Sequence, residues 1–503
     1  MSLGGFRSPE SLFLTNCRRC GRGSTGKDCR QNHQNKDKNV TQLLKHPVAV
    51  IGIGCRFPGG LHSLDALWKA LSDGRDCLGT LPAERFDVAR YRHDDPVAPG
   101  MTYAMRAGIA GDVRAFDATF WGFSEKEAES LDPQQRMALT MTWEAFEDAG
   151  ICPSELAGSD TAVYMGSASA DMGMLHSDDL ASTNAYTMTG TQLSIISNRI
   201  SYAFDFHGAS MTVDTACSSA LVALDMACRA VADGKVPAAV AGGVNVLLAP
   251  MGFVGFSKAH MLSQTGACRV FDEKADGYVR SEGGAVVLLK TLAQAQKDGD
   301  AVHAVIRATA VNSDGRTAGI ALPNGKAQAA LMAGIYGSEL PKARVAYVEA
   351  HGTGTKAGDP IEARAIGEVL GHKTGAALAV GSVKANLGHL ETASGMAGLA
   401  KVLCVLEKGE IPGNIHLETP NPAIDFAGLG LRVPVKTEKL PTVAGVPLVG
   451  LNSFGFGGTN AHVVLEQYRA PEAQVKVSTD RLLPLLVTAK SRESLTGAAK
   501  QLA

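Results

Sequence analysis

The sequence predicts an α/β protein in which sheets lie between helix layers and two similar halves follow one another. Three observations carry that expectation. Strand-like runs at Ala301–Val311 and Arg344–Ala350 are each followed by a helical pattern, the alternation that builds sheets flanked by helices. Ala238–Leu248 is apolar almost throughout, which suits a strand covered on both faces. Thr392-Ala393-Ser394, opening a largely apolar run to Lys408-Gly409, echoes Thr215-Ala216-Cys217, which opens another such run to Asp233-Gly234. If the echo is a true repeat, each half has a central buried helix and only the first kept a cysteine. At 503 residues the chain is long enough for one large duplicated domain or for two to three average ones.

Bulk composition narrows the function. Lys and Arg number 48 against 50 Asp and Glu, a net charge of −2, so there is no electrostatic case for nucleic acid or an anionic membrane surface as partner. The 10 cysteines are mostly singly placed, unlike a secreted disulfide framework, and point to a reducing cytoplasm. The uncharged stretch Val236–Ser257 is long enough to raise a membrane span, but Pro237, Asn245, Pro250 and its glycines fit a buried strand and loop instead. No signal-peptide pattern opens the chain.

Taken in order, residues 1–45 are rich in Arg, Lys, Asn, Gln, Ser and Gly and poor in apolar side chains, the composition of a disordered basic tail. Cys17, Cys20, Cys29 and His33 raise a small zinc knuckle as the alternative to a flexible leader, although their spacing matches no common finger. Folded sequence begins at His46-Pro47 with the strand Val48–Gly52. Gly52 and Gly54 resemble a fragment of a nucleotide-binding fingerprint, but Arg56-Phe57-Pro58 stands where its helix must start, which discards it. Leu64–Leu71 reads as a helix, and Asp73–Gly111 as an irregular stretch of the kind that serves an entrance or an interface. Asp132-Pro133 opens a helix that Gly150 ends, and Thr161–Met165 reads as a strand.

The chain is organised around Val213–Leu221. A polar, turn-capable opening passes into Ala, Leu, Val and Met up to Val231, which predicts a helix whose first turn carries Cys217. Apolar on nearly all faces, that helix is buried, with Cys217 at its inner end. Free N–H groups and the positive end of the helix dipole favour the thiolate there, the nucleophilic form. The plain alternative is a buried structural cysteine. His351 opens the loop Gly352-Thr353-Gly354-Thr355 after a strand, and His389 ends Lys384-Ala385-Asn386-Leu387-Gly388-His389, another glycine-containing loop after a strand. Each alone suits a hydrogen-bonded structural histidine. With Cys217 they form a Cys/His/His set at equivalent strand-to-helix junctions, a place to attack a carbonyl. No metal is expected, because nothing near Cys217 has ligand spacing. The glycines of 455–458 let main chain approach a reacting centre, so a backbone N–H here and that of Cys217 can hold an oxyanion; an ordinary tight turn needs the same residues.

Asp214–Ser219, Glu349–Thr355, Lys384–Glu391 and Asn452–Asn460 together resemble the motif set of β-ketoacyl synthases. Gly52–Gly60 and Asp132–Arg136 narrow the likeness to ketosynthase domains of type I polyketide synthases, over residues 46–467 and in the family's order. The resemblance implies a thiolase-like fold, two duplicated halves in a five-layered αβαβα arrangement. The half with the nucleophilic cysteine would span 46–300, the half with both histidines 301–467, and 468–503 would be a linker and the start of a post-ketosynthase linker domain. Cys217 would then accept an acyl chain as a thioester. His351 and His389 would promote decarboxylation of a malonyl-type extender on an acyl carrier protein, and the enolate would attack the acyl carbonyl. Lys384 corresponds to the family's active-site lysine, Glu362 to its usual carboxylate partner, and Phe456 to a gating aromatic whose N–H completes the oxyanion hole. A buried structural ion pair is the alternative for Lys384 and Glu362.

The resemblance implies no bound cofactor, since substrates arrive on the phosphopantetheine of the carrier protein. Implied partners are that carrier protein, a second copy in a homodimer, an acyltransferase and other synthase domains. Ser281-Glu282-Gly283, where the family often has Gly-Glu-Gly, is expected to lie away from the motif chemistry. A thiolase, the rival in the same fold, uses a second cysteine that Asn452–Asn460 lacks. The other rival is a non-elongating chain-transfer or scaffold domain, told apart by whether a carbon–carbon bond forms.

Overall fold

Alternating apolar runs become strands of one hydrogen-bonded sheet of 11 strands in this computed structural model, which describes residues 43–470 and 486–502. The expected basic tail, with Cys17, Cys20, Cys29 and His33, lies outside the described residues, as does most of the expected linker. In chain order the strands are β1 (Leu43–Arg56), β2 (Ala162–Gly166), β3 (Ser210–Val213), β4 (Ala239–Asn245), β5 (Gly283–Thr291), β6 (Ala304–Ser313), β7 (Val345–Glu349), β8 (Leu378–Gly381), β9 (Leu431–Arg432), β10 (Leu448–Phe454) and β11 (Thr459–Gln467).

One topology occurs twice in this sheet. Strands β1, β5, β4, β2 and β3 lie side by side, with antiparallel pairs β1–β5 and β5–β4 followed by parallel pairs β4–β2 and β2–β3. Strands β6, β11, β10, β7 and β8 repeat that order and that sequence of pairings. The halves join where β1 and β6 pair antiparallel, and β9 adds an edge beyond β8. Pairing on both sides explains why β1 runs well past the expected Val48–Gly52.

Six helices form the layers: α1 (Pro133–Ala149), α2 (Ser194–Phe204), α3 (Ser219–Ala232), α4 (Gly325–Ala333), α5 (Gly358–Leu370) and α6 (Ser394–Lys408). Leu221 and Leu224 of α3 and Met396 and Leu403 of α6 share one core with residues of both halves, among them Val287 and Leu289 of β5 and Leu451 of β10. Val286 and Leu288, the alternate residues of β5, turn to the opposite face, where Phe146 of α1 and Ile200 of α2 cover them. On the far side, Leu331 of α4 and Ile366 of α5 pack on Val348 of β7. The two halves of the sheet thus lie on either side of α3 and α6, and the stack is helix, half-sheet, helix, half-sheet, helix, the five layers expected. Each large apolar side chain so buried contributes about 1.5–3 kcal/mol relative to exposure.

Glycines set the closest approaches. A Cβ on Gly52 would lie 2.1 Å from the Ala145 carbonyl, and one on Gly54 2.0 Å from that of Met141, so these residues let α1 lie against β1. Their need is helix packing rather than phosphate binding. Val236–Ser257 contains buried β4 and all but the last residue of a short helix, Met251–Lys258, and no described helix is long and apolar enough to cross a membrane. Asp132 caps α1 by accepting the Gln134 N–H at 2.8 Å, and Gly150 ends it at φ 66°. A last helix, Arg492–Leu502, returns to the first half, where Ser494 Oγ donates to Asp117 at 2.7 Å.

Candidate active site

Cys217 lies just ahead of α3 rather than inside its first turn. The residues before it form their own turn: the Asp214 carboxylate accepts the Ala216 N–H at 2.9 Å, and Ala216 takes a left-handed φ of 57°. Ser219 Oγ accepts the Thr215 N–H at 2.8 Å and donates to the Ala216 carbonyl at 2.6 Å, and the helix itself runs only from Ser219. The Cys217 carbonyl is held from the second half, by Ser453 Oγ at 2.7 Å and Ser394 Oγ at 3.2 Å. A Cβ on Gly455 would sit 2.5 Å from the Thr215 carbonyl, so only glycine lets the loop after β10 reach this turn.

That approach brings the Phe456 N–H to the sulfur. Burial pushes the Cys217 thiol up to about 11, against the opposing pull of the Phe456 and Cys217 backbone N–H groups and the Lys384 charge. The expected helix-end preference for the thiolate is therefore outweighed. Desolvation outweighs the dipole of a helix that begins beyond the cysteine.

The two histidines arrive on loops at the carboxyl ends of β7 and β8, as Cys217 does from β3. Gly388 turns the chain at φ 73°, after which the His389 N–H donates to Val279 O at 2.8 Å. His389 Nδ1 accepts the Glu391 N–H at 2.8 Å, so the proton of the neutral ring sits on Nε2. His351 is held through its main chain: the Glu362 carboxylate accepts the N–H groups of His351 at 2.7 Å and Gly352 at 2.8 Å. Its buried Nδ1 has no partner among the described residues. Burial, reinforced by the Lys384 charge, holds both rings well below the ordinary imidazole range, so both are neutral at pH 7.

The ring centroids stand 5.4 Å apart at 82°. Cys217 Sγ and one nitrogen from each ring all lie within 4.8 Å of one another. The same three atoms can ligate a soft cation, a ligand geometry that their wide spacing in the sequence did not suggest. They line a cavity of about 570 Å³ together with Leu322, Phe454 and Phe456. Phe456 stands 47% exposed and meets Phe256 edge-on at 5.8 Å.

Lys384 and Glu362 are both buried nearby, yet among the described residues they form no direct ion pair. Glu362 is occupied by the two loop N–H groups and by Asn452 Nδ2 at 3.0 Å. Burial draws the Lys384 pKa down, against the raising charges of Glu349 and Glu362. Ser281, expected to lie away from the chemistry, touches the His389 loop: its N–H donates to His389 O at 2.9 Å and its Oγ to Leu387 O at 2.6 Å. Sequence distance misled here because β5 starts beside that loop. Asn452, Ser453, Glu391 and Ser394 received no role from sequence. Asn452 and Ser453 belong to the motif that exposed Phe456 and Glu391 to the one that exposed His389, whereas the repeat marks Ser394 without revealing its contact with Cys217.

Comparison with known proteins agrees with this geometry. Family models match for the β-ketoacyl synthase N-terminal domain at residues 45–295, the β-ketoacyl synthase C-terminal domain at 303–418 and the ketoacyl-synthetase C-terminal extension at 420–503. The chain is 46% identical to a phenolphthiocerol/phthiocerol polyketide synthase of Mycobacterium tuberculosis, over 86% of this chain and 23% of that protein. It is 44% identical to the lovastatin nonaketide synthase of Monascus pilosus, over 89% of this chain and 16% of that one. The chain thus spans less than a quarter of the length of either synthase. Among solved structures it resembles an oxazolomycin ketosynthase domain of Streptomyces albus, with TM-score 0.83 and 37% identity over 90% of this chain and 79% of that one. The ketosynthase from module 6 of the Bacillus subtilis bacillaene synthase gives 0.77 and 33%, over 84% and 72%. Cys217 at the mouth of a duplicated α/β stack, two neutral histidines beside it and this breadth of likeness lead to one conclusion: the chain belongs to the β-ketoacyl synthase family, as a ketosynthase domain of the polyketide synthase kind.

Proposed function

We propose that the chain elongates acyl chains, with Cys217 as nucleophile and His351 and His389 as the groups that stabilise the enolate. The convergence of Cys217 Sγ with one nitrogen of each neutral ring carries this reading. In the first step Cys217 Sγ attacks an acyl thioester of phosphopantetheine; a new C–S bond forms, the old one breaks, and the thiol proton passes to the departing sulfur. In the second, a malonyl-type thioester loses CO₂, and the electron pair of the broken C–C bond becomes an enolate. Neutral imidazoles donate N–H bonds to its oxygen as charge develops; the Glu391 bond at Nδ1, which leaves the His389 proton on Nε2, supports this role. The enolate carbon attacks the acyl-Cys217 carbonyl, whose oxyanion faces the N–H groups of Cys217 and Phe456. Collapse releases the β-ketoacyl thioester, and the Cys217 sulfur leaves to be reprotonated. Lys384 adds a positive field to the site, and Glu362 holds the His351 loop.

This chemistry calls on no resident cofactor, because the extender's own carboxylate supplies the carbanion. An acyl carrier protein is the partner that chemistry requires, its phosphopantetheine entering the cavity beside Phe456, and an acyltransferase and other synthase domains would supply the extender. A homodimer is favoured by β3, which ends the sheet with Met211 43% exposed; Met188 and Leu180 of the same half are also exposed. The free cysteines among the described residues and the carrier-bound substrates support a cytoplasmic setting. The parting of the halves falls between β5 and β6, which supports 46–300 and 301–467 as the two units.

Intact-protein mass spectrometry tests the reading. Wild type should gain the mass of a short acyl group from its thioester and lose it to malonyl-loaded carrier protein as a β-ketoacyl product; Cys217→Ala should do neither. Acylation without condensed product would make this a chain-transfer domain, and no acylation would make Cys217 structural.

A further inference from the structure

Glu362 carries the His351 loop, and behind Glu362 stands a chain of polar groups, buried up to the partly buried Tyr336, that the chemistry above does not use. Asn452 of β10 and His462 of β11 are direct cross-strand partners. Asn452 Nδ2 donates to Glu362 Oε1 at 3.0 Å, its Oδ1 lies 2.6 Å from His462 Nδ1, and His462 Nε2 lies 2.8 Å from the Tyr336 hydroxyl. A carboxylate surrounded by donors only accepts, which fixes the Asn452 amide with its nitrogen toward Glu362 and its oxygen toward His462. His462 Nδ1 must then carry the proton, leaving Nε2 to accept from Tyr336. Burial holds the His462 pKa down to about 3, so the ring stays neutral, as this single polarity requires. Every proton points the same way, from Tyr336 through His462 and Asn452 to Glu362.

We infer that His462 and Tyr336 are positioning residues for His351, acting through Asn452 and Glu362. The inference rests on the role given to His351 above. Glu362 has three donors to satisfy its two oxygens, two of them the N–H groups that present the His351 loop. If Asn452 loses the group that orients it, its amide can rotate, and the carboxylate is free to turn from the loop. No member of the relay touches Cys217, so the acyl-transfer step is untouched by this coupling. Gly450 makes room for the relay, since a Cβ there would stand 3.0 Å from His462 Cε1 and 3.1 Å from the Tyr336 hydroxyl.

The test uses the full chain and two separate readouts: acylation of Cys217 by a butanoyl N-acetylcysteamine thioester, and CO₂ release from malonyl-loaded carrier protein. His462→Leu should lower CO₂ release at least about tenfold with acylation within about twofold of wild type. His462→Asn puts an amide nitrogen where Nδ1 stood and should restore CO₂ release to within about threefold of wild type, and Tyr336→Phe should lower it about threefold. Acylation and CO₂ release falling together, or His462→Asn behaving like His462→Leu, would overturn the inference, as would full activity in His462→Leu. Should His462→Leu fail to fold, the selective effect of Tyr336→Phe decides, and its absence counts against the relay. His351→Ala separates the two layers of argument: unchanged CO₂ release in that variant defeats the reading of His351 itself, whatever the His462 variants do.

Discussion

The turns before α3 and α6 occupy one position in a duplicated topology, yet only the first turns its side chain, Cys217, into the cavity. Before α3, the left-handed residue is Ala216, immediately ahead of Cys217, and the helix starts later. Before α6, the left-handed residue is Glu391 at φ 49°, while Ala393 is already helical at φ −89° and ψ −2°, so Ser394 is the first residue of the helix and buried. Its hydroxyl donates to the carbonyl of Cys217, its own counterpart in the repeat. One half has turned its copy of the site into a brace for the other. Gly243 of β4 lets both starts come together, since a Cβ there would lie 2.6 Å from that of Ala220 and 3.2 Å from Ala393 Cα. Topology thus decides where the loops meet, and the placement of one left-handed residue decides which side chain faces the cavity.

Moving the thiol is the strongest way to break this comparison. In a Cys217→Ala, Ser394→Cys double variant, acylation by a short thioester should stay at background by mass spectrometry, because position 394 faces the brace and not the cavity. Acylation at position 394 would show that the two turns are interchangeable. Gly455→Ala attacks the first turn alone. Its new Cβ cannot coexist with the Thr215 carbonyl, so the loop must retreat and take the Phe456 N–H from the sulfur. Loss of one such donor lowers acylation about 10²-fold. A measured loss under about threefold would remove Phe456 from the oxyanion site.

Much of this was legible in the sequence, and the limits have physical causes. The repeat, the buried central helices and the three strand-end loops follow from apolar periodicity and from glycines that only turns require. Cys217, His351 and His389 stood out because each interrupts such a pattern at a junction. What stayed hidden depends on contacts between distant segments: Ser281 against the His389 loop, Ser394 against Cys217, and Glu362 bound to main chain rather than to Lys384. The charge state of Cys217 was hidden too. A helix signal marks a dipole, but burial is a property of the packed whole.

That charge state gives a further test, on the first turn only. With a folded-state pKa of about 11, the reactive thiolate is a small fraction at pH 7, and it grows about tenfold per pH unit as pH rises toward that value. Iodoacetamide alkylation of Cys217, followed by mass spectrometry between pH 6 and 9, should therefore climb steadily. The neutral histidines add no step, because their depressed pKa values lie below that window. A plateau near pH 7 would restore the helix-end thiolate and with it the equivalence of the two turns.

The smallest effect tests the brace itself. Ser453 and Ser394 both donate to the Cys217 carbonyl, but the first bond is 2.7 Å and the second 3.2 Å. Ser453→Ala should therefore lower acylation more than Ser394→Ala, with each bond contributing on the order of 1 kcal/mol, a few-fold in rate. Either change alone leaves the carbonyl one partner, whereas both together leave a buried acceptor with none. The double variant should fall further than the sum of the two, by about 1–3 kcal/mol in urea unfolding. Strict additivity would mean that the carbonyl finds another donor, and that Ser394 is only a relic of the repeat.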